Sequence, residues 1–205
     1  ELNQKLDIYE YIVFVLVFFL FTVTALLITP FVQLYTRGIV DTDYNQPLFG
    51  FLLVVSEALY LVKLPHLNLA YSANKFKEIT VPAYIEAILN IVISVSLVKK
   101  FGLIGVTVGT IVGMTYRMVF HVYYTSKIVP GRMQSIFYRK FFLFSAGSGA
   151  GFVLCYKLLP LRTVTVVNWI IHAIFYCIVI GSTLLAISML FFQNEIKFFA
   201  KYIKR

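Results

Sequence analysis

Four charged side chains stand inside stretches otherwise apolar enough to lie in a bilayer: Glu57, Lys63, Glu86 and Arg117. A charge at the centre of a membrane-spanning helix costs about 2.5–3.5 kcal/mol on insertion scales, so each must face a partner or a wet cavity rather than lipid. A cation left uncompensated there should be offset by something anionic or aqueous. Glu57 and Glu86 instead suit exchange of a proton or a metal cation. Glu57 and Lys63 are six residues apart, about 120° around a helix, and do not pair with each other. Counted at about 1.5 Å per residue, Lys63, Glu86 and Arg117 each stand roughly 9–12 Å inward from the same side and can share one layer. There Glu86 can neutralise one cation and leave the other uncompensated.

The elements that must position these groups centre on a helical hairpin from Pro82 to Arg117, hinged at Lys99, Lys100, Phe101 and Gly102. On its first arm Glu86, Asn90 and Ser94 recur every four residues and so lie on one helix face. On the second, Thr110, Arg117 and His121 fall within about 20° of one line. Both polar stripes are expected to look into a cavity. Gly105, Gly109 and Gly113 make a doubled small-xxx-small pattern, expected on a different face, that admits a neighbouring backbone. A further stripe, Asn168, His172 and Tyr176, reads as interhelical hydrogen bonding rather than a proton relay.

Composition sets the solvent. The 205 residues are 60% hydrophobic, 17% aromatic and only 13% charged, with mean hydropathy +0.86. That is too few charges to coat a water-soluble domain of this length. The expectation is an all-α membrane protein, a single six-helix lobe with spans near Ile8 to Gln33, Pro47 to Tyr71, Thr80 to Val98, Leu103 to Tyr124, Phe141 to Leu159 and Val166 to Phe192. Pro30 and Pro65, late in their spans, should kink or end them. The formal charge of +9 serves topology and anionic headgroups rather than nucleic acid, since no basic patch stands on a folded polar surface. Eleven Lys and Arg lie on the side holding both termini against five on the other, which puts both ends in the cytoplasm. The tail NEIKFFAKYIKR alternates basic and aromatic residues and can lie along the inner leaflet. Cys155 and Cys177 fall in apolar spans as free thiols.

Enzymatic chemistry finds no footing. Asp41 and Asp43 form a DTD like the metal-binding DxD of nucleotide-sugar transferases, but on the outer side, where turn formation explains them better. There is no HExxH, GxSxG, phosphate loop or zinc spacing, and neither cofactor nor metal is expected.

Three stretches, YTRGIVDTDYNQP at Tyr35 to Pro47, AYSANKFKEIT at Ala70 to Thr80 and IEAILNIVISVSLVKKFGLIGVTVGTIVG at Ile85 to Gly113, resemble the second half of Wzx-type polysaccharide flippases. These belong to the multidrug/oligosaccharidyl-lipid/polysaccharide exporter superfamily. The likeness covers about the first 125 residues, and the last two spans follow by hydropathy. Where the family tends to have Gly before the K-F-K stretch, this chain has Asn74, which tolerates a left-handed turn.

The resemblance implies one lobe of a two-lobed transporter of twelve to fourteen helices in a bacterial inner membrane, beginning where the seventh helix would begin. The partner lobe would be supplied in cis or in trans. It further implies a lipid-linked oligosaccharide as substrate, carried on polyprenyl pyrophosphate from inner to outer leaflet by alternating access. Polysaccharide assembly machinery would be a partner beside the membrane lipids. On this reading Lys63 and Arg117 are pyrophosphate- or glycan-facing cations, with Glu86, Asn90 and His121 beside them in the substrate site. The runner-up is an ion-coupled drug or cation antiporter of the same superfamily using Glu57 or Glu86. A third reading is a non-transporting membrane scaffold or gene fragment.

Overall fold

The computed structural model describes residues 1–203, with side chains through residue 199. Among these the chain is entirely helix and connecting turn: α1 (Leu2–Tyr35), α2 (Pro47–Val62), α3 (Leu64–Ser72), α4 (Phe76–Phe101), α5 (Leu103–Ile128), α6 (Gln134–Leu158), α7 (Val166–Phe191) and α8 (Gln193–Ile203). With α2 and α3 counted as one broken crossing, six helical spans are long and apolar enough to traverse a bilayer. The chain is an all-α, multi-pass membrane protein.

The six expected spans are all present, most of them a few residues longer than their apolar cores, because helix continues through the polar flanks. Two prolines behave differently. Pro30 sits inside α1, which runs on to Tyr35. Its missing N–H frees an acceptor in the preceding turn, and nearby the indole of Trp169 donates to the Leu27 carbonyl at 3.2 Å. Pro65 does break its span. It occupies the first turn of α3, where a missing N–H costs nothing, and the Lys63 carbonyl starts that turn by accepting from His66 and Leu67 at 3.1 Å each.

The turn from α3 to α4 uses Asn74, the single non-glycine residue with positive φ among those described, at +56°. The amide of Lys75 reaches back to the Ala70 carbonyl at 3.0 Å, closing the turn around a left-handed residue. Asn therefore does at this position what Gly would do. Gly102, at φ +54°, makes the equally sharp reversal between α4 and α5.

Helix α1 is the hub, packed on α2, α6, α7 and α8, while α5 bridges α2, α3 and α4. The core is aromatic: Phe14 meets Phe137 edge-on at 5.3 Å, and Phe144 stacks on Phe192 at 5.2 Å. Helix α4 packs on α5 and, briefly, α3. Its other faces, with Tyr84, Ile88, Ile91 and Val95, are exposed and apolar, as suits a helix whose surroundings are lipid or another membrane segment.

Candidate functional site

The α4–α5 seam is built differently from its sequence reading. The glycine stripe of α5 and the polar stripe of α4 face each other. A Cβ on Gly109 would lie 2.3 Å from Ser94 Oγ and 2.8 Å from the Asn90 carbonyl, and one on Gly113 would lie 3.1 Å from the Glu86 carbonyl. Asn90 and Ser94 are thus packed into the hairpin rather than turned to a cavity. Ser94 donates to Asn90 Oδ1 at 2.9 Å, and the Val106 carbonyl lies at 3.3 Å from the same hydroxyl. The separation of packing face from polar face fails because helical drift brings Gly113 to about 40° from Arg117, so the two stripes merge into one seam.

Arg117 closes this seam. Its guanidinium donates to Glu86 Oε2 in a short ion pair, and its Nε lies 3.4 Å from Nε2 of His121. Of the two deep cations, Arg117 is the one that Glu86 neutralises. Glu86 is therefore no longer a free acid for cation exchange. Glu57, exposed on α2, has no ion-pair partner among the described residues. His121 is buried, with Nδ1 lacking a hydrogen-bond partner.

Lys63 is the cation left over. It is completely buried at the α2–α3 break, and no carboxylate among the described residues lies within ion-pairing distance. Its ammonium instead meets Met114 Sδ at 3.5 Å and the ring of Tyr60 at 4.4 Å. A thioether and an aromatic face are soft partners that stabilise an ammonium far less than a carboxylate would. Met114 stands three residues before Arg117 on α5, so the Lys63 contact and the Glu86–Arg117 pair meet that helix within one turn of each other. Lys63, Glu86 and Arg117 do therefore share one neighbourhood.

Sequence reasoning missed a second charged centre altogether. Near the N-terminal end of the bundle, Asp7 and Glu10 of α1 hold Arg132 and Lys140 from the start of α6 and the loop before it. The Lys140 ammonium is bound by the Asp7 carboxylate at 2.8 Å, the Asp7 carbonyl at 3.0 Å and Glu10 at 3.0 Å. Arg132 bridges the same pair, meeting Asp7 at 2.8 Å and Glu10 more closely still. His66 of α3 joins through Thr125 at 2.9 Å, with Nε2 3.3 Å from Glu10. Glu10 and Lys140 are wholly buried, and two carboxylates against two cations leave the cluster balanced. The signal in the sequence was Asp7 and Glu10, three apart and so on one face, just where an apolar span begins. Arg132 and Lys140, which read as topogenic loop charges, are internal ties.

Asp43, His172 and Tyr176 have partners within the chain. Asp43 accepts from the Asn45 amide at 2.9 Å, forming the turn expected of it. His172 bonds the Asn168 carbonyl within α7, and Tyr176 donates to the Leu159 carbonyl. Among the described residues no cluster of His, Cys, Asp or Glu could hold a metal ion. No family model matches the chain, and no curated protein or solved structure matches it.

Proposed function

We propose that this chain is one lobe of a flippase for polyprenyl-pyrophosphate-linked oligosaccharide, and that Lys63 is the principal pyrophosphate-binding cation. The observation that carries the reading is the burial of Lys63 among soft partners at a broken helix, with no carboxylate within ion-pairing distance among the described residues and Glu86 committed to Arg117. An isolated ammonium in this setting is costly. A thioether and an aromatic ring can yield to a phosphate that pairs with it better. The break at Lys63 also supplies a joint. Opening α2 away from α5 would move Met114 off the ammonium and present it to the space between this lobe and a second one.

Arg117 is the second cation of the site, held in position by Glu86 and turned over to substrate only if that pair opens. Asn90 and His121 shape the seam behind it. The three sequence stretches resembling Wzx-type flippases supply the substrate class: a charged head and glycan that must cross within a wet passage while the prenyl chain stays in lipid. The alternative of a cation-exporting antiporter is disfavoured by the ammonium beside the acids and by the engagement of Glu86.

The test is made in cells whose surface polysaccharide depends on this protein with its second lobe. Lys63→Ala is expected to lower surface polysaccharide at least tenfold with normal membrane insertion, while Lys63→Arg retains part of it. Full export by Lys63→Ala would remove Lys63 from the site.

A further inference from the structure

The C-terminal helix offers a surface that the transport reading does not use. Helix α8 follows α7 after a corner at Phe192, whose backbone leaves the helical region (φ −128°, ψ 35°). Phe192 is completely buried, stacked on Phe144 of α6 and tilted against Tyr11 of α1 at 5.8 Å. This aromatic plug fixes where α8 leaves the bundle. Helix α8 also touches α1 and α7.

The register of α8 divides it into two faces. Within α8, Ile196 and Phe199, three residues apart, share one face. Lys197 lies about 100° and Asn194 about 160° away from Ile196, with Phe198 also on that far side. Lys197 is exposed, and Phe199 is 39% exposed.

Three contacts identify the bundle end where α8 starts. Phe192 meets Tyr11, the Asn3 amide approaches the Pro130 carbonyl, and Asn68 donates to the Tyr9 hydroxyl. The termini of α1, α3, α5 and α6 therefore gather there. Exposed Lys127 and Arg139 stand at that same end, whereas Arg132 and Lys140 are consumed by Asp7 and Glu10.

We propose that α8 lies in the plane of the bilayer as an anionic-lipid-binding element, its Ile196–Phe199 stripe in the acyl boundary and its lysines on negatively charged headgroups. Charge complementarity chooses this occupant over a protein groove: the segment after Phe192 carries Lys197, Lys201, Lys204 and Arg205 against the single acid Glu195, interleaved with aromatic and aliphatic residues, the composition of interfacial helices. This holds independently of what the lobe transports.

Amide hydrogen exchange of the intact protein in nanodiscs tests it, read over residues 193–203. In discs of phosphatidylcholine with one-third phosphatidylglycerol, exchange across α8 is expected to be roughly tenfold slower than in phosphatidylcholine alone, because each lysine gains from a nearby anionic surface. Half-molar salt should erase the difference by screening it. Lys197→Glu with Lys201→Glu should abolish the lipid dependence while exchange in α1 and α6 stays unchanged, which separates lost lipid contact from lost folding. Equal exchange in both lipids, whether fast or slow, would overturn the proposal, as would lipid dependence that survives the double substitution.

Discussion

The Lys63 ammonium lies 3.5 Å from the sulfur of Met114, a contact that places a fully buried cation against an atom with little negative charge to offer. One turn further along α5, Arg117 takes the carboxylate of Glu86. Arg117 thus has a carboxylate partner while Lys63 has none within ion-pairing distance among the described residues, and the energetic consequences can be measured.

The Glu86–Arg117 pair should reveal itself by asymmetry. Glu86→Gln leaves a mostly buried guanidinium without its counter-charge, and breaking one side of a buried pair typically costs about 3–5 kcal/mol. Residual exposure here lowers that to roughly 1–3 kcal/mol. Replacing both partners, as Glu86→Gln with Arg117→Gln, should recover most of the loss in detergent melting experiments. If the double variant is no more stable than Glu86→Gln alone, the pair is not what secures this seam.

Gly109 should be intolerant where Gly149 is not. A methyl at Gly109 meets Ser94 Oγ and the Asn90 carbonyl well inside contact distance, whereas nothing lies within 4 Å of a Cβ at Gly149. Gly109→Ala is expected to cost about 1–3 kcal/mol through forced separation of α4 and α5. Gly149→Ala should be neutral or slightly stabilising, since Ala is the better helix former. Melting temperatures of the two variants side by side decide the matter.

How much of this was legible in the sequence depends on whether the information was local. Span number, the interruption near Pro65 and the left-handed tolerance of Asn74 all follow from composition and backbone sterics over a few residues. Which faces meet does not. Glu86, Asn90 and Ser94 declare a stripe, and so do Gly105, Gly109 and Gly113, but periodicity cannot say that one stripe is the other's partner. The ties from Asp7 and Glu10 to Arg132 and Lys140 join positions more than 120 residues apart. Lys140 therefore read as an ordinary flanking charge, although its ammonium is entirely enclosed.

That enclosure makes the N-terminal charge cluster a structural tie with a distinctive signature. Lys140→Ala strands Asp7 and Glu10 with a single cation, and Glu10→Ala strands Lys140 and Arg132; each should lose about 3–5 kcal/mol. Because the charges are buried, raising salt from 0.1 M to 0.5 M should change stability little, unlike a surface pair such as Lys5 with Glu1. Marked salt sensitivity of the wild-type melting temperature that disappears in Lys140→Ala would contradict this picture.

The central claim is that Lys63 receives the phosphate of a lipid-linked glycan. Its most direct test is translocation of a fluorescent polyprenyl-pyrophosphate oligosaccharide in proteoliposomes containing the protein with its second lobe. The account predicts that Lys63→Ala slows translocation at least tenfold, that Lys63→Arg keeps a measurable rate, and that inorganic pyrophosphate inhibits the wild type but barely affects residual activity in Lys63→Ala. A Lys63→Ala variant that flips the substrate at the wild-type rate, with unchanged sensitivity to pyrophosphate, would contradict it.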